Sequence, residues 1–247
     1  MRINVCLIGA GLSLLSAVGY CADSSALPNL QAPDMMSSVA KSSTDTNQPD
    51  AFKAKQEGSV NLKAVQLYSQ DELLNWIDKN QHLEHVKADR CQLVQDIKAR
   101  AQKVDLPAYQ FLWGDMLAWG VCVPRDATLG VHYMWQAARQ GLPAALEQLG
   151  RYYASGTLVQ ANPERAVQLL RESASLGYLK ARLEYVQILV DGYGSPFDYQ
   201  QAYQWLYNSI IADKEQHQRA SKLLASLAQQ MPPSIVAEVQ NSRPDTP

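Results

Sequence analysis

The 247-residue chain balances 22 Lys and Arg against 24 Asp and Glu, for a formal charge of −2, and 47% of it is hydrophobic. That length suits one good core with an arm. The near-neutral charge, without any basic stripe, argues against nucleic acid or an anionic membrane as partner.

In chain order, residues 1–22 read as a secretory signal peptide. MRINVCLIGAGLSLLSAVG has one early cation, Arg2, then a short apolar run ending in small residues. Cleavage after Ala22 puts bulky Tyr20 where a small residue is preferred, whereas Ala17-Val18-Gly19 fits the small-x-small rule. Cys21 leaves a lipoprotein signal open, although Tyr20 argues against it. Residues 23–64 are rich in Ser, Asp, Asn, Gln, Pro and Lys without an apolar period, as in SSALPNLQAPDMMSSVAKSSTDTNQPD, and read as a disordered polar linker.

Order is expected from Val65, with an N-terminal helical region over 65–105. Ser69 and Glu72 form a capping-box signature ahead of Leu73, Trp76 and Ile77. A second helix is expected from about Lys87 to Val104, with Cys91, Val94, Ile97 and Ala101 facing the core. Leu106-Pro107 ends it. Cys91 and Cys122 remain once Cys6 and Cys21 are removed. Cleavage after Gly19 would instead leave Cys21 as an odd thiol. An even pair in an exported chain points to a disulfide, and two buried thiols are the alternative. The bridge would close a loop of about 31 residues, worth roughly 3–4 kcal/mol in the chain-entropy account.

From Leu106 the chain repeats itself at an offset of 36: Pro107, Gly114, Gly120, Val131 and Gly141 match Pro143, Gly150, Gly156, Val167 and Gly177. A weaker third copy pairs Ala145 with Ala181, Gly156 with Gly192 and Ala166 with Ala202. Such a period marks a helical repeat protein, all-α, with units at 106–141, 142–177 and 178–213. In the second unit Pro143 opens one helix, and Ala145, Leu149 and Tyr153 form its inward stripe. Gly150 permits close approach and Gly156 caps the helix. Asn162-Pro163 opens the next helix. Gly114, Gly120, Gly150, Tyr153, Gly156 and Gly192 thus take repeat-structural roles. Asp198 and Gln201 suggest a capping box in the third unit. Residues 214–247 are expected to form a capping helix, stopped at Pro232-Pro233, then a short turn over 234–240 and a frayed tail.

The pattern A-x3-LG-x2-Y-x2-G followed by A-x2-LL-x3-A-x2-G resembles Sel1-like repeats, a branch of the tetratricopeptide-type solenoids. The longer stretches NQHLEHVKADRCQLVQDIKARA, LPAYQFLWGDMLAWGVCV, GLPAALEQLGRYYASGTLVQ and YGSPFDYQQAYQWLYNSI resemble the MotX family. That resemblance covers about Val65 to Ile235. It implies an α-solenoid of three Sel1-like repeats in a periplasmic component of the sodium-driven polar flagellar motor. It also implies a place in the T ring of the basal body near the outer membrane, and MotY-like and PomA/PomB-type stator partners. Past the signal peptide no segment is long and apolar enough to span a bilayer.

Chemistry is sparse. His82, Glu84, His85 and Cys91 match no common zinc spacing. Gly9-Ala10-Gly11 lies in the signal peptide, and HExxH, P-loop and nucleophile-elbow motifs are absent. No catalytic, cofactor-binding or metal residues are assigned, and neither cofactor nor small-molecule substrate is expected. Glu147, Glu164 and Glu184 read as solvated faces or caps. The anomalies are aromatic. Trp119 stands where later copies carry Ser155 and Asp191; Trp135 and Tyr207 stand at the slot of Arg171. A slot that tolerates charge is partly exposed, so Trp119, Trp135 and Tyr207 are partner-binding candidates. The competing expectation is that helices over 69–104 cover both tryptophans. Trp113, Tyr133 and Trp205 occupy core slots. The sequence reads as a non-enzymatic adaptor, with a periplasmic repeat regulator of envelope or cell-wall machinery, or an enzyme with an unrecognised site, as alternatives.

Overall fold

The computed structural model describes residues 66–242, and every regular element among them is a helix. The expected signal peptide, the linker over 23–64 and the end of the tail lie outside the described residues.

Helix α1 (Gln70–Asp78) starts as the capping box dictates. Ser69 Oγ accepts from Glu72 N at 3.2 Å, and the Glu72 carboxylate accepts from Ser69 N at 2.9 Å. Its buried face is Leu73 and Ile77. The single helix expected over 87–104 is instead two, α2 (His82–Ala88) and α3 (Val94–Gln102), and Cys91 lies in the turn between them. Arg90 and Cys91 take φ of 53° and 60°, and Cys91 N closes the end of α2 by donating to Val86 O at 3.1 Å. This turn brings Cys91 within 5.6 Å (Cα to Cα) of Cys122, to which it is disulfide-bonded. Apolar periodicity alone carried the helix through a position that a covalent tie holds in a turn.

Three hairpins follow: α4 (Pro107–Trp119) with α5 (Ala127–Arg139), α6 (Pro143–Ser155) with α7 (Pro163–Ser175), and α8 (Leu179–Val190) with α9 (Tyr199–Tyr207). Their first helices begin 36 residues apart, and so do their second helices. Asp126 and Asn162 cap α5 and α7, each side chain accepting at 2.9 Å from the backbone of Leu129 and Arg165. Asp198 does not form the expected capping box. A 3-10 turn over Pro196–Asp198 starts at Ser195, so Asp198 is already helical (φ −83°, ψ −15°) and caps nothing with its side chain. An N-cap side chain reaches its target only from an extended backbone.

Glycine sets the closest approach within the hairpins. A Cβ on Gly130 would stand 2.6 Å from Gly114 O, one on Gly114 2.8 Å from Gly130 O, and one on Gly150 2.7 Å from Leu170 Cγ. Gly120 and Gly156 cap α4 and α6 in the left-handed conformation. Along α6, Ala145 and Leu149 are buried as expected, but the ring that completes the stripe is Tyr152. Tyr153 is only half-buried, packed against Trp135. The flank of α6 carrying Tyr152 meets Trp119, whereas Tyr153 looks into the space between hairpins.

α10 (Lys214–Ala228) buries Ala220, Leu223 and Leu227 against α8 and α9. The short turn expected after Pro233 is a nine-residue helix, α11 (Pro233–Asn241), with Val239 buried and Gln240 donating to the Tyr203 hydroxyl at 2.9 Å. Proline at its first helical position removes no helical hydrogen bond, so Pro232-Pro233 ends α10 and also starts α11. Two core clusters result. One joins α1 to α6 and takes in Leu169 of α7, the other joins the rest of α7 to α11, and the half-buried Tyr153 and Tyr178 touch both.

Candidate interaction face and its polar network

Trp119 ends α4 and is 46% exposed, so the N-terminal helices leave it open. Its indole Nε1 donates to the Tyr152 hydroxyl at 3.2 Å, and the two rings meet edge to face at 6.4 Å. Gln148 donates to the same hydroxyl at 2.6 Å. Arg151 bonds to Gln148 Oε1, and its Nε reaches Glu147 Oε1 at 2.6 Å. A polar ladder therefore runs from the exposed indole down one side of α6. It fixes the ring and lowers the entropy a partner must remove.

The lower end of that ladder is buried. Glu147, expected on a solvated face, is 4% exposed. Burial pushes its carboxyl above the usual range, while the Arg151 guanidinium pulls the other way. Tyr178 and Lys180, at the start of α8, lie close enough to sense this charge. Lys180 also ties α8 to the end of α1, with Nζ 3.1 Å from Asn80 Oδ1 and 3.5 Å from Ile77 O. In the sequence, Glu147 and Arg151 at i, i+4 look like a surface pair. The only signal to the contrary is the apolar run Ala144-Ala145-Leu146 just before Glu147.

The other aromatic candidates differ. Trp135 is half-buried, and Arg165 of α7 lies 4.7 Å over its ring and 4.8 Å over that of Tyr153. Its face is occupied by the chain itself. Tyr207 is 43% exposed and stacks on Tyr203 with ring centroids 5.9 Å apart. The structure does not bring Trp119, Trp135 and Tyr207 into one cluster. They stand on α4, α5 and α9. Trp113 and Tyr133 are buried, and Trp205 is half-buried.

The residues weighed as metal ligands serve separate purposes. His82 Nε2 meets Asp115 Oδ2 at 2.7 Å, both side chains buried. His85 stacks on Trp76 at 3.9 Å. Cys91 is in the disulfide. Among the described residues no three His, Cys, Asp or Glu side chains gather as a metal site would need. No helix among them is long and apolar enough to cross a membrane.

The Sel1 repeat family matches residues 107–142, 143–178 and 188–210. The chain is 57% identical over 176 residues to the sodium-type polar flagellar protein MotX of Vibrio parahaemolyticus serotype O3:K6 (strain RIMD 2210633), covering 71% of this chain and 83% of that protein. Among solved structures, a Sel1 repeat protein from Oxalobacter formigenes is 26% identical with a TM-score of 0.44, over 59% of this chain and 54% of that one. A protective antigen of uropathogenic Escherichia coli with an SLR fold is 18% identical with a TM-score of 0.43, over 72% of this chain and 42% of that one. The chain thus spans about half the length of these two solved structures.

Proposed function

The chain belongs to the MotX family of sodium-type polar flagellar proteins and is built from Sel1 repeats, and from that membership we propose that it is a non-enzymatic, exported component of the sodium-driven flagellar motor. It works in the periplasm, in the T ring at the basal body, binds a MotY-like protein and helps hold PomA/PomB-type stator units where they generate torque. The observation that carries this reading is the 57% identity, sustained over 176 residues.

The geometry supports it in three ways. The disulfide between Cys91 and Cys122 suits an oxidising compartment. Stacked helical hairpins offer extended surfaces for protein partners. The buried ionisable groups Glu147, His82 and Asp115 are each engaged by a neighbour in the fold, as structural groups are. Trp119 is the leading partner anchor, exposed yet held by Tyr152. Tyr207 is a second anchor, whereas Trp135 contributes through the edge that Arg165 leaves free.

Deletion of the gene tests this. Cells that keep their filaments but stop swimming at every sodium concentration, and recover with the wild-type gene, are expected. Unimpaired swimming would overturn the motor role. Shape or envelope defects alongside normal swimming would point to a regulator of cell-wall machinery instead.

A further inference from the structure

The grooves between successive hairpins are not filled alike. Between α5 and α7 the chain plugs its own groove, Arg165 lying between the rings of Trp135 and Tyr153 at 4.7 and 4.8 Å. One repeat of 36 residues earlier, the same three positions hold Ala99, Leu117 and Leu129. Two rings and a guanidinium are absent there. Between α3, α4 and the loop leading into α5, a cavity of about 480 Å³ opens instead. That is within the roughly 300–1,000 Å³ of ordinary ligand pockets.

Its floor is apolar, formed by Trp113, Leu117, Val123 and Leu129, with Leu129 38% exposed. Its rim is cationic. Exposed Lys98 of α3 and Arg125 of the loop before α5 both line it, and Arg125 is held by its Nε, which donates to Ala118 O at 3.0 Å. The one carboxylate in the lining, Asp126, is turned to the start of α5, where it accepts from Leu129 N. The Cys91–Cys122 bridge pins the turn before α3 to the loop that forms the far wall. The groove therefore exists before any partner arrives, and little ordering cost attends its filling.

We propose that this groove docks an extended segment of a partner protein that presents one aromatic side chain flanked by carboxylates. The ring takes the space that Trp135 and Tyr153 fill one repeat later. The carboxylates meet Lys98 and Arg125, whose charges lie at the rim and so steer and orient the segment. The repeat register and the groove's own charge favour this occupant whether or not the chain serves the motor.

The test uses the full exported chain and a fluorescein-labelled peptide, Gly-Ser-Asp-Trp-Asp-Ser-Gly, read by fluorescence anisotropy. The same peptide with Lys in place of both Asp, and one with Ala in place of Trp, serve as comparators. Saturable binding of the first, at least tenfold tighter than either comparator, is expected, with a shift of the Trp113 indole N–H resonance. Lys98→Glu and Leu129→Glu should each weaken it at least tenfold. The second variant places a carboxylate at the third position of α5, which favours a helix N-terminus and so preserves the fold. Arg171→Glu, in the groove between α7 and α9, should leave binding unchanged. Equal binding of the three peptides, no binding at millimolar concentration, or undiminished binding by Lys98→Glu and Leu129→Glu would overturn the proposal.

Discussion

Trp119 and Glu147 show how differently single residues in one network are exposed. The indole projects from the end of α4 and contributes little to the core, so Trp119→Ala should leave helix content unchanged while weakening capture of MotY-like and stator-like partners by roughly tenfold or more, as expected for an aromatic anchor. Equal pull-down by wild type and variant would remove it from the interface. Glu147 lies under the fold, and burial raises its pKa above the ordinary 4.5. A folded state that holds its proton more tightly than the unfolded chain loses stability as pH rises between the two values. Glu147→Gln should therefore match the wild type near pH 4 and become the more stable protein as pH rises, with a flat difference above the raised pKa. Urea melts across this range check the sign; a variant that falls behind the wild type with rising pH would mean that the Arg151 pair outweighs desolvation.

At the scale of elements, the crossing of α4 and α5 is set by two glycines that face each other. Propensity alone says Gly130→Ala should stabilise a helix interior by about 1 kcal/mol. The new Cβ would instead meet backbone atoms, Gly114 O at 2.6 Å and Ala118 N at 2.7 Å. Backbone cannot yield as a flexible side chain can, so a loss of about 1–3 kcal/mol is expected in thermal or chemical denaturation. Gly114 was legible because it repeats as Gly150. Gly130 was not, because its counterpart is Ala166, and only the contact reveals that the first hairpin is the tighter one. The same limit explains α2, α3 and α11. The apolar period and Pro232-Pro233 are local signals, whereas a disulfide-bonded turn and a second use of Pro as a helix start are decided by neighbours in space.

For the molecule as a whole, stability comes from hairpins leaning on their neighbours, and the two core clusters are coupled through Tyr153 and Tyr178. Tyr178→Ala should cost roughly 2–4 kcal/mol, as large-to-small core changes do, and split the melt. Native-state hydrogen exchange would then show α7 to α11 opening independently of α1 to α6. A single cooperative transition with uniform protection would show that the tyrosine is no hinge between them. The sequence by itself determined the all-helical repeat, its 36-residue spacing, the glycine boundaries of the first two hairpins, the Asn162 cap of the second, the cysteine pair and the family. Each of these is a local signal, or one restated at a fixed interval. The tertiary structure alone decided that Glu147 is buried, that Arg165 covers Trp135, that Trp119 stays open and that no described side chain fills the groove beside α3. Exposure belongs to the helix packed alongside, and residues brought together by stacking leave no mark on the order in which the chain spells them.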